Sequence, residues 1–490
     1  MQILARFSRY LLRFGIKLVL WAVAILVTII FVRAFDSRLL PDLQPWHTAE
    51  FEAEFTAEDE EGGASYAEFL AREQRVFAEL ESKVVGDYDA PRILNRFDRD
   101  SPAYPESFPV NWNRSFELRP TAKPWGAIVL VHGLTDSPYS MRALGEFYQS
   151  RGLLVIGPRM PGHGTAPSGL LEAQWQDWLA VVRLAVEHAR EQVGPGAPLL
   201  LGGYSNGGSL VMKFTADAIE HGDALPDQVH LFSPAIGITR LAFFAGWHRL
   251  LADIPFFKKV RWEGIIPEYD PYKYNSFPKI AGHQSWEITR ALEHQLRRLA
   301  ATGQIHAMPP VLTFQSLADA TVLTSAVVNG LFGRLTVPNS ELVLFDVNSS
   351  DNMQQFIRPS FQATLAQLES NTSRGYTLTV VRNQQGEQFG VEAVSRVAGG
   401  ASTGRQGLDL AWPLQVYSMT HVAVPFPPDD PIYGAGRIPP LALGNISPRG
   451  ERGVLRVPVE QFMRLRHNPF FPYMLEKIED FISPLEPAGP

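Results

Sequence analysis

The sequence contains no cysteine among its 490 residues, and charged side chains make up only 19% of it. The missing cysteine excludes a disulfide scaffold, a thiolate zinc site, an iron–sulfur cluster and a cysteine nucleophile. It indicates no compartment, because a chain without cysteine is compatible with any redox poise. The low charge does not indicate disorder, since hydrophobic residues reach 45% and aromatic residues 11%, which is enough for a packed core.

The charge is divided unevenly along the chain. Its formal net value is −7, yet residues 1–38 carry six basic side chains against one acidic side chain, a net charge of +5. The rest of the chain therefore carries −12. Nucleic-acid binding depends on clustered lysine and arginine, so this acidic body argues against a nucleic-acid partner.

The N-terminal segment contains the longest apolar run. Leu18–Val32 has no charged residue, and the apolar positions before Lys17 extend it to about 28 Å of helix, close to a hydrocarbon core of about 30 Å. We expect a single-pass membrane anchor within residues 1–38. The basic residues before it predict a cytoplasmic N-terminus and an extracytoplasmic catalytic domain, periplasmic if the source is bacterial. A cleaved signal peptide and a buried core helix are the alternatives.

Three regions are predicted along the chain. After the anchor, residues 39–104 form a stalk and lead-in, whose acidic run at 50–61 is typical of a solvated spacer. From 105 to 490, apolar strands alternate with amphipathic helices, which predicts a mostly parallel sheet covered by helices on both faces. Two stretches interrupt the alternation and are expected as insertions, one at about 234–305 and one at about 340–410.

A strand-to-helix turn carries the strongest chemical signal. Gly203–Gly207 reads G-x-S-x-G, with an apolar strand before it and a helical stretch after it. In this context Ser205 must adopt a strained backbone that projects its hydroxyl above the sheet. We therefore predict that Ser205 is a nucleophile; a plain glycine-rich turn is the alternative.

A serine nucleophile needs a base and an acid, which should follow later strands in that chain order. Asp319 follows the apolar run PVLTF and His421 follows LQVYS, so they are the predicted acid and base. The carboxyl ends of parallel strands meet at one edge of the sheet, where catalytic groups gather. Asp346 is the rival acid, and His163 and His132 are the rival bases.

Acyl transfer also needs two N–H donors for the developing oxyanion. The backbone amide of Asn206, directly after the nucleophile, is one candidate. The other is expected in the loop after the strand GAIVLV, and we assign it to Leu134. The tight loop at 161–164 on the same edge is interpreted as mainly structural.

The motifs HGLTDSPYSMR, PRMPGHG and GYSNGG, the D-x-x-V at Asp319 and the H-V at His421 occur in family order over about residues 110–435. The chain thereby resembles the α/β-hydrolase superfamily and, within it, the bacterial carboxylesterase and monoacylglycerol lipase branch. This resemblance implies the α/β-hydrolase fold and a Ser205–His421–Asp319 triad, with Leu134 and Asn206 as oxyanion donors. It implies no metal and no organic cofactor. The 102-residue separation between the acid and the base departs from the family pattern.

The first insertion contains an aromatic cluster where this family carries a lid. Phe243, Phe244 and Trp247 are the predicted substrate-binding residues, suited to an apolar acyl group or a membrane surface; the alternative is that they form the lid's own core. We therefore expect a membrane-anchored serine hydrolase acting on a small-molecule carboxylic ester or lipid substrate. An acyltransferase or peptidase with the same triad, and an inactive membrane-tethered binding protein, are the alternatives.

Overall fold

The structure is a computed structural model, and most of what it describes lies beyond residue 40. The described residues are 13–25, 27–28, 31–32, 35, 40–86, 88, 94–237, 255–319, 321–337, 339–350, 354–385, 390–400, 403–413, 416–436, 441, 443–445 and 463–487.

The strands of the described chain fall into one large sheet and two small pairs. They are β1 (Phe116–Leu118), β2 (Gly126–Val131), β3 (Leu153–Gly157), β4 (Leu199–Tyr204), β5 (Gln228–Phe232), β6 (Trp262–Gly264), β7 (Phe277–Pro278), β8 (Val311–Ser316), β9 (Glu341–Phe345), β10 (Thr377–Asn383), β11 (Gly390–Arg396), β12 (Thr403–Ala411), β13 (Val416–Met419) and β14 (Met463–Leu465). The large sheet has the order β1-β3-β2-β4-β5-β8-β9-β10-β11-β12. Neighbours from β3 to β10 are parallel, while β1, β11 and β12 are antiparallel.

Helices cover both faces of this sheet. They are α1 (Pro45–Thr48), α2 (Ala57–Glu61), α3 (Tyr66–Lys83), α4 (Arg142–Ser150), α5 (Trp175–Val193), α6 (Asn206–His221), α7 (Lys279–Thr302), α8 (Thr324–Ala326), α9 (Pro359–Ser370) and α10 (Phe471–Ile482). One hydrophobic cluster joins the sheet to α5, α6 and α7, and a second joins it to α4 and α10. The central strands β2, β4, β5 and β8 are buried along their whole length because both faces are covered. The predicted α/β-hydrolase fold is confirmed.

The lead-in packs against the sheet domain instead of standing free as a spacer. The side chain of Phe55, inside the acidic run, is 1% exposed and lies in the main hydrophobic cluster. The neighbouring acidic residues find cationic partners, because Glu54 pairs with Arg159 at 3.0 Å and Glu60 pairs with Arg183. Alternating acidic and aromatic residues therefore make ion pairs and apolar contacts with the same surface.

The predicted membrane localisation is wrong. Within the described residues, no helix combines the length and the apolar character needed to cross a bilayer. The single-pass anchor expected at Leu18–Val32, and with it the extracytoplasmic placement of the catalytic domain, is not supported.

Both expected insertions contribute to the body of the domain. Within 234–305, helix α7 buries Ile288, Leu292 and Leu299 in the main hydrophobic cluster; residues 238–254 lie outside the described part. Within 340–410, β9 pairs in parallel with β8, and β10, β11 and β12 extend the sheet further. The long separation between the predicted acid and base is thus occupied by sheet.

The strand before His421 lies outside the large sheet. β13 pairs with β14 instead, and backbone and side-chain groups near the ends of β8 and β9 hold it. Asn348 donates to the carbonyl oxygens of Val416 and Tyr417 at 2.9 and 2.7 Å, and Ser316 Oγ donates to the carbonyl oxygen of Met419 at 3.1 Å. The chain is thereby brought back to the carboxyl edge of the sheet after its excursion through β10–β12.

Candidate active site

Ser205 occupies the turn between β4 and α6 in a strained conformation. Its φ is 51° and its ψ is −117°, a combination that a non-glycine residue adopts only when the surroundings enforce it. The surroundings do so here, because the Ser205 amide donates to the Phe232 carbonyl oxygen at 3.0 Å and the Ala235 amide donates to the Ser205 carbonyl oxygen at 2.9 Å. The tip of β5 therefore fixes the serine from one side.

The glycines of the G-x-S-x-G motif allow backbone to approach this turn closely. A Cβ at Gly207 would lie 2.1 Å from the carbonyl oxygen of Val131, so the first turn of α6 presses against the end of β2. A Cβ at Gly133 would lie 3.1 Å from Cβ of Ser205. The loop after β2, which contains the predicted oxyanion donor, is therefore adjacent to the serine.

The two predicted oxyanion donors lie on either side of this contact. Asn206 is the first residue of α6, where a backbone amide has no partner within the helix. Its buried side chain is occupied elsewhere, since Oδ1 accepts a hydrogen bond from Ser285 Oγ at 2.8 Å. Leu134 follows Gly133 and precedes Thr135, whose φ is 65°. The roles of both amides stay predictions.

Asp319 follows β8 and is held as an acceptor. Its side chain is fully buried, and Oδ1 accepts hydrogen bonds from the amides of Thr321 and Val322, both at 2.9 Å. Gln315 Nε2 donates to Oδ2 at 3.3 Å. Three donors on one carboxyl group favour its charged form.

His421 follows β13 and faces Asp319. Nδ1 of the imidazole lies 3.8 Å from Oδ1 of Asp319, within ion-pair range but longer than a hydrogen bond. Burial lowers the pKa of His421, and the positive charges of Lys273 and Arg464 lower it further. The imidazole is therefore neutral near pH 7, the state that a general base requires.

The rival bases are engaged in other contacts. His132 Nε2 accepts the amide of Met160 at 3.0 Å, so Nδ1 carries the proton and donates to the Gly133 carbonyl oxygen at 2.9 Å. His163 contacts the carbonyl oxygen of Pro161 through Nδ1 and packs against Trp178 with ring centroids 5.5 Å apart. Both imidazoles support the loops of the carboxyl edge.

The rival acid follows β9, the neighbour of β8. Asp346 is buried, and burial raises the pKa of its carboxyl group to about 7. Its Oδ1 accepts the amide of Val347 at 2.7 Å. A carboxyl group with this pKa is partly neutral at pH 7, so it orients a base less effectively than the three-donor Asp319.

Charged residues that were not predicted as part of the site also lie around this edge. Lys273 Nζ donates to Oδ1 of Asp136 at 2.9 Å, directly beside the loop after β2. Burial raises the pKa of Tyr204 well above its ordinary value, and the carboxylates of Asp136 and Asp319 raise it further. Asp136 stands in the HGLTDS motif and could have been noticed, whereas Lys273 belongs to no motif.

Two further predictions concern the aromatic residues of the first insertion and metal binding. The predicted substrate-binding residues Phe243, Phe244 and Trp247 lie outside the described residues. Across the described ranges, no group of three histidine, aspartate or glutamate side chains is placed to hold a metal ion.

The sheet topology and the strained serine turn together define a class of protein, the α/β hydrolases, and this chain has their fold. Residues 122–328 match the family described as serine aminopeptidase, S33, which is a family of serine hydrolases. That segment contains Ser205 and Asp319 and ends before His421.

Two curated relatives are a lipase and a carboxylesterase. A thermostable monoacylglycerol lipase of Bacillus sp. (strain H-257) is 34% identical over 85 residues, 17% of this chain and 33% of the relative. A carboxylesterase of Bacillus subtilis (strain 168) is 30% identical over 66 residues, 14% of this chain and 27% of the relative. The matches thus span a third or less of the length of these relatives.

Solved structures overlap with about half of the chain. The monoacylglycerol lipase of Paleococcus ferrophilus is 19% identical and covers 52% of this chain and 98% of its own, with a TM-score of 0.36. A soluble variant of monoglyceride lipase from Saccharomyces cerevisiae is 15% identical and covers 52% of this chain and 90% of its own, with a TM-score of 0.38.

Proposed function

We propose that this protein hydrolyses carboxylic esters through an acyl-enzyme on Ser205, with His421 as general base and acid and Asp319 as its orienting partner. The observation that carries the proposal is the enforced backbone of Ser205 at the carboxyl edge of the sheet. A strained non-glycine residue at such a position is typical of a nucleophile held ready for attack. The family of residues 122–328 supports the same chemistry.

The first half of the reaction forms the acyl-enzyme. Ser205 Oγ attacks the ester carbonyl carbon while His421 takes the hydroxyl proton. The resulting imidazolium is stabilised by Asp319, whose carboxyl group accepts three hydrogen bonds. The amides of Leu134 and Asn206 stabilise the oxyanion, and the protonated His421 gives its proton to the departing alcohol.

The second half returns the enzyme to its starting state. Water gives a proton to His421 and attacks the acyl carbon, and the same two amides stabilise the second oxyanion. Collapse of this intermediate releases the carboxylic acid, and His421 returns the proton to Ser205. No other group is required for either half.

We assign lipid-derived esters, such as monoacylglycerols or lysolipids, as the substrate class. Two observations support this choice: a curated relative is named as a monoacylglycerol lipase, and the insertion after β5 carries the aromatic residues Phe243, Phe244 and Trp247. Aromatic side chains bind long acyl groups through buried apolar area.

A single substitution tests the serine mechanism. Ser205→Ala should lower the kcat for an ester at least about 10³-fold while leaving the circular dichroism spectrum unchanged. The matched control is Ser150→Ala at the exposed end of α4, which should keep wild-type turnover. Undiminished hydrolysis in the Ser205 variant would contradict the mechanism.

The description of the matched family as an aminopeptidase favours one second candidate, amide hydrolysis by the same triad. A panel of esters with acyl chains of increasing length, run beside the matching amides and with added alcohol acceptors, separates the candidates. The proposal predicts a preference for long-chain esters over amides, with water as acceptor. Preference for amides or for transfer to the alcohol would replace the ester-hydrolase proposal, and absence of turnover on all of them would indicate a binding protein.

A further inference from the structure

The segment between β6 and β7 touches the loop that is expected to supply an oxyanion donor. The amide of Tyr274 donates to the carbonyl oxygen of Thr135 at 2.8 Å. One residue earlier, Lys273 Nζ donates to Oδ1 of Asp136 at 2.9 Å. A backbone contact and a charged side-chain contact from adjacent residues therefore hold two consecutive positions of the loop.

The segment can resist movement because it is itself anchored. Glu268 Oε1 and Oε2 accept the amides of Ser276 and Asn275 at 2.7 and 3.0 Å, which closes the segment on itself. The hydroxyl of Tyr274 donates to the carbonyl oxygen of Gly162 at 3.0 Å. The segment thus connects the loop after β2 to the loop after β3.

The held loop contains a strained residue. Thr135 has φ of 65°, in the left-handed region that disfavours a β-branched side chain. Strain of this kind persists only where contacts oppose it. The hydrogen bond from Tyr274 acts on this residue, and the ion pair from Lys273 acts on the next.

The strained loop lies directly against the nucleophile. A Cβ placed on Gly133 would be 3.0 Å from Oδ2 of Asp136 and 3.1 Å from Cβ of Ser205. Asp136 is 5% exposed and stands beside the residue that faces the serine. A shift of Asp136 would therefore be transmitted to the amide of Leu134.

We propose that Lys273 and Tyr274 are positioning residues that hold residues 133–136 in the geometry that directs the Leu134 amide toward the oxyanion. Through these two residues, the insertion after β5 contributes to the stabilisation of the oxyanion in the transition state. This inference rests on the proposed function, because it assigns a role within the same site.

Lys273 also acts on the catalytic base. Within the described part of the chain, the charged groups that act on His421 include Asp319 after β8, Lys273 in the insertion and Arg464 on β14. Lys273 and Arg464 both lower the pKa of His421. Loss of the Lys273 charge should therefore raise the pKa of His421, an electrostatic effect that a purely structural lysine would not have.

The test compares Lys273→Met with Lys273→Arg in ester hydrolysis. Lys273→Met should lower kcat about 10- to 100-fold and change KM less than about 2-fold, because the oxyanion exists only after the attack. The acidic limb of its kcat/KM profile should move to higher pH. Lys273→Arg should restore most of kcat and the wild-type limb, since it keeps the cation and can pair with Asp136.

Two further variants control this comparison. Lys213→Met removes another lysine–aspartate pair, with Asp217 on α6, and should leave kcat and the pH profile unchanged. Asp136→Asn should reproduce the kcat loss of Lys273→Met, and the double variant Asp136→Asn with Lys273→Met should be no slower than either single variant. Wild-type kcat in Lys273→Met, or an equal loss in the Lys213 control, would overturn the proposal.

Amide hydrogen exchange tests the contact without using turnover. Lys273→Met should speed exchange at residues 134–136 and at Tyr274 and leave α6 unchanged. If the wild-type protein hydrolyses no ester, the proposed function fails. Unaltered exchange in the variant would separately overturn the proposal that Lys273 and Tyr274 hold residues 133–136.

Discussion

Ser205, Asp319 and His421 are held by different kinds of contact. Ser205 is fixed through its backbone by β5, and Asp319 is fixed through its side chain by the turn that follows β8. His421 follows the short strand β13, which pairs with β14 and is held to the end of β9 by Asn348. The predicted acid is thus held by contacts within its own turn, whereas the predicted base is held by residues distant along the chain.

Asp319 and its rival can be separated by one pair of variants. Asp319→Asn should lower kcat about 10²- to 10⁴-fold, because an amide cannot stabilise the imidazolium of His421. Asp346→Asn should stay within about 3-fold of wild-type kcat, since the amide resembles the neutral form that the raised pKa of Asp346 already favours. Steady-state ester kinetics on both variants check this. The reverse order of effects would assign the acid to Asp346.

Motif spacing predicts Ser205, Asp319 and His421 as the catalytic residues, and their roles stay predictions. Each motif names a residue after a strand, and parallel strands bring such residues to one edge. The 3.8 Å separation of Asp319 and His421 accords with that selection. Lys273 could not be selected in this way, because its contact with Asp136 depends on the path of an insertion that has no sequence signature.

At the scale of elements, the main departure from expectation is how the chain reaches His421. The apolar runs of β9 and β10 have the composition of core strands, and they extend the parallel sheet where an insertion was expected. The place of these strands in the sheet order could not be predicted from the sequence, because pairing in a parallel sheet is set by contacts distant along the chain. The aromatic residues predicted to bind substrate, Phe243, Phe244 and Trp247, lie outside the described residues, so their role stays a prediction.

The ion pairs that dock the lead-in should contribute to the free energy of unfolding. Arg159 has a side chain 1% exposed and pairs with Glu54 and Glu73 at 3.0 and 3.2 Å. Arg159→Met would leave two carboxylates without their cation and should lower the free energy of unfolding by about 3–5 kcal/mol. Urea unfolding measures this change.

A second arginine of the same contact provides the control. Arg183 pairs with Glu60 in the acidic run but is 40% exposed. Arg183→Met should therefore cost less than about 1 kcal/mol. Equal and small losses in both variants would show that the lead-in is not docked through Arg159.

At the scale of the whole molecule, buried titratable groups act on stability in opposite directions. Burial lowers the pKa of His230 to about 3. Below about pH 6.5, His230 is therefore protonated in the unfolded chain and still neutral in the folded chain. Burial raises the pKa of Asp346 to about 7, so the folded chain holds a proton that the unfolded chain releases above about pH 4. As the pH falls from 6.5 to 4, His230 removes stability and Asp346 adds it.

Two substitutions should change the pH dependence of stability with opposite sign. His230→Asn should flatten the loss of stability on acidification by up to about 1.4 kcal/mol per pH unit between pH 6 and 4, and Asp346→Asn should steepen it by a similar amount. Urea unfolding at several pH values measures both slopes. Parallel slopes in the two variants would contradict these pKa directions.

The sequence also misled at the scale of the whole molecule, and for a physical reason. An apolar run of membrane length predicted an anchor, and an acidic run predicted a spacer. Composition along the chain reports what a segment could do in isolation, whereas the ion pairs of Glu54 and Glu60 and the burial of Phe55 depend on the surface that the folded domain presents.

The nucleophilic role proposed for Ser205 can be tested by covalent labelling. The full chain is treated with a fluorophosphonate, digested, and the modified peptide is identified by mass spectrometry. We predict one equivalent of label on Ser205, lost in Ser205→Ala and strongly slowed in His421→Ala. Folded wild-type protein that takes up no label, or label that persists in Ser205→Ala, would contradict it.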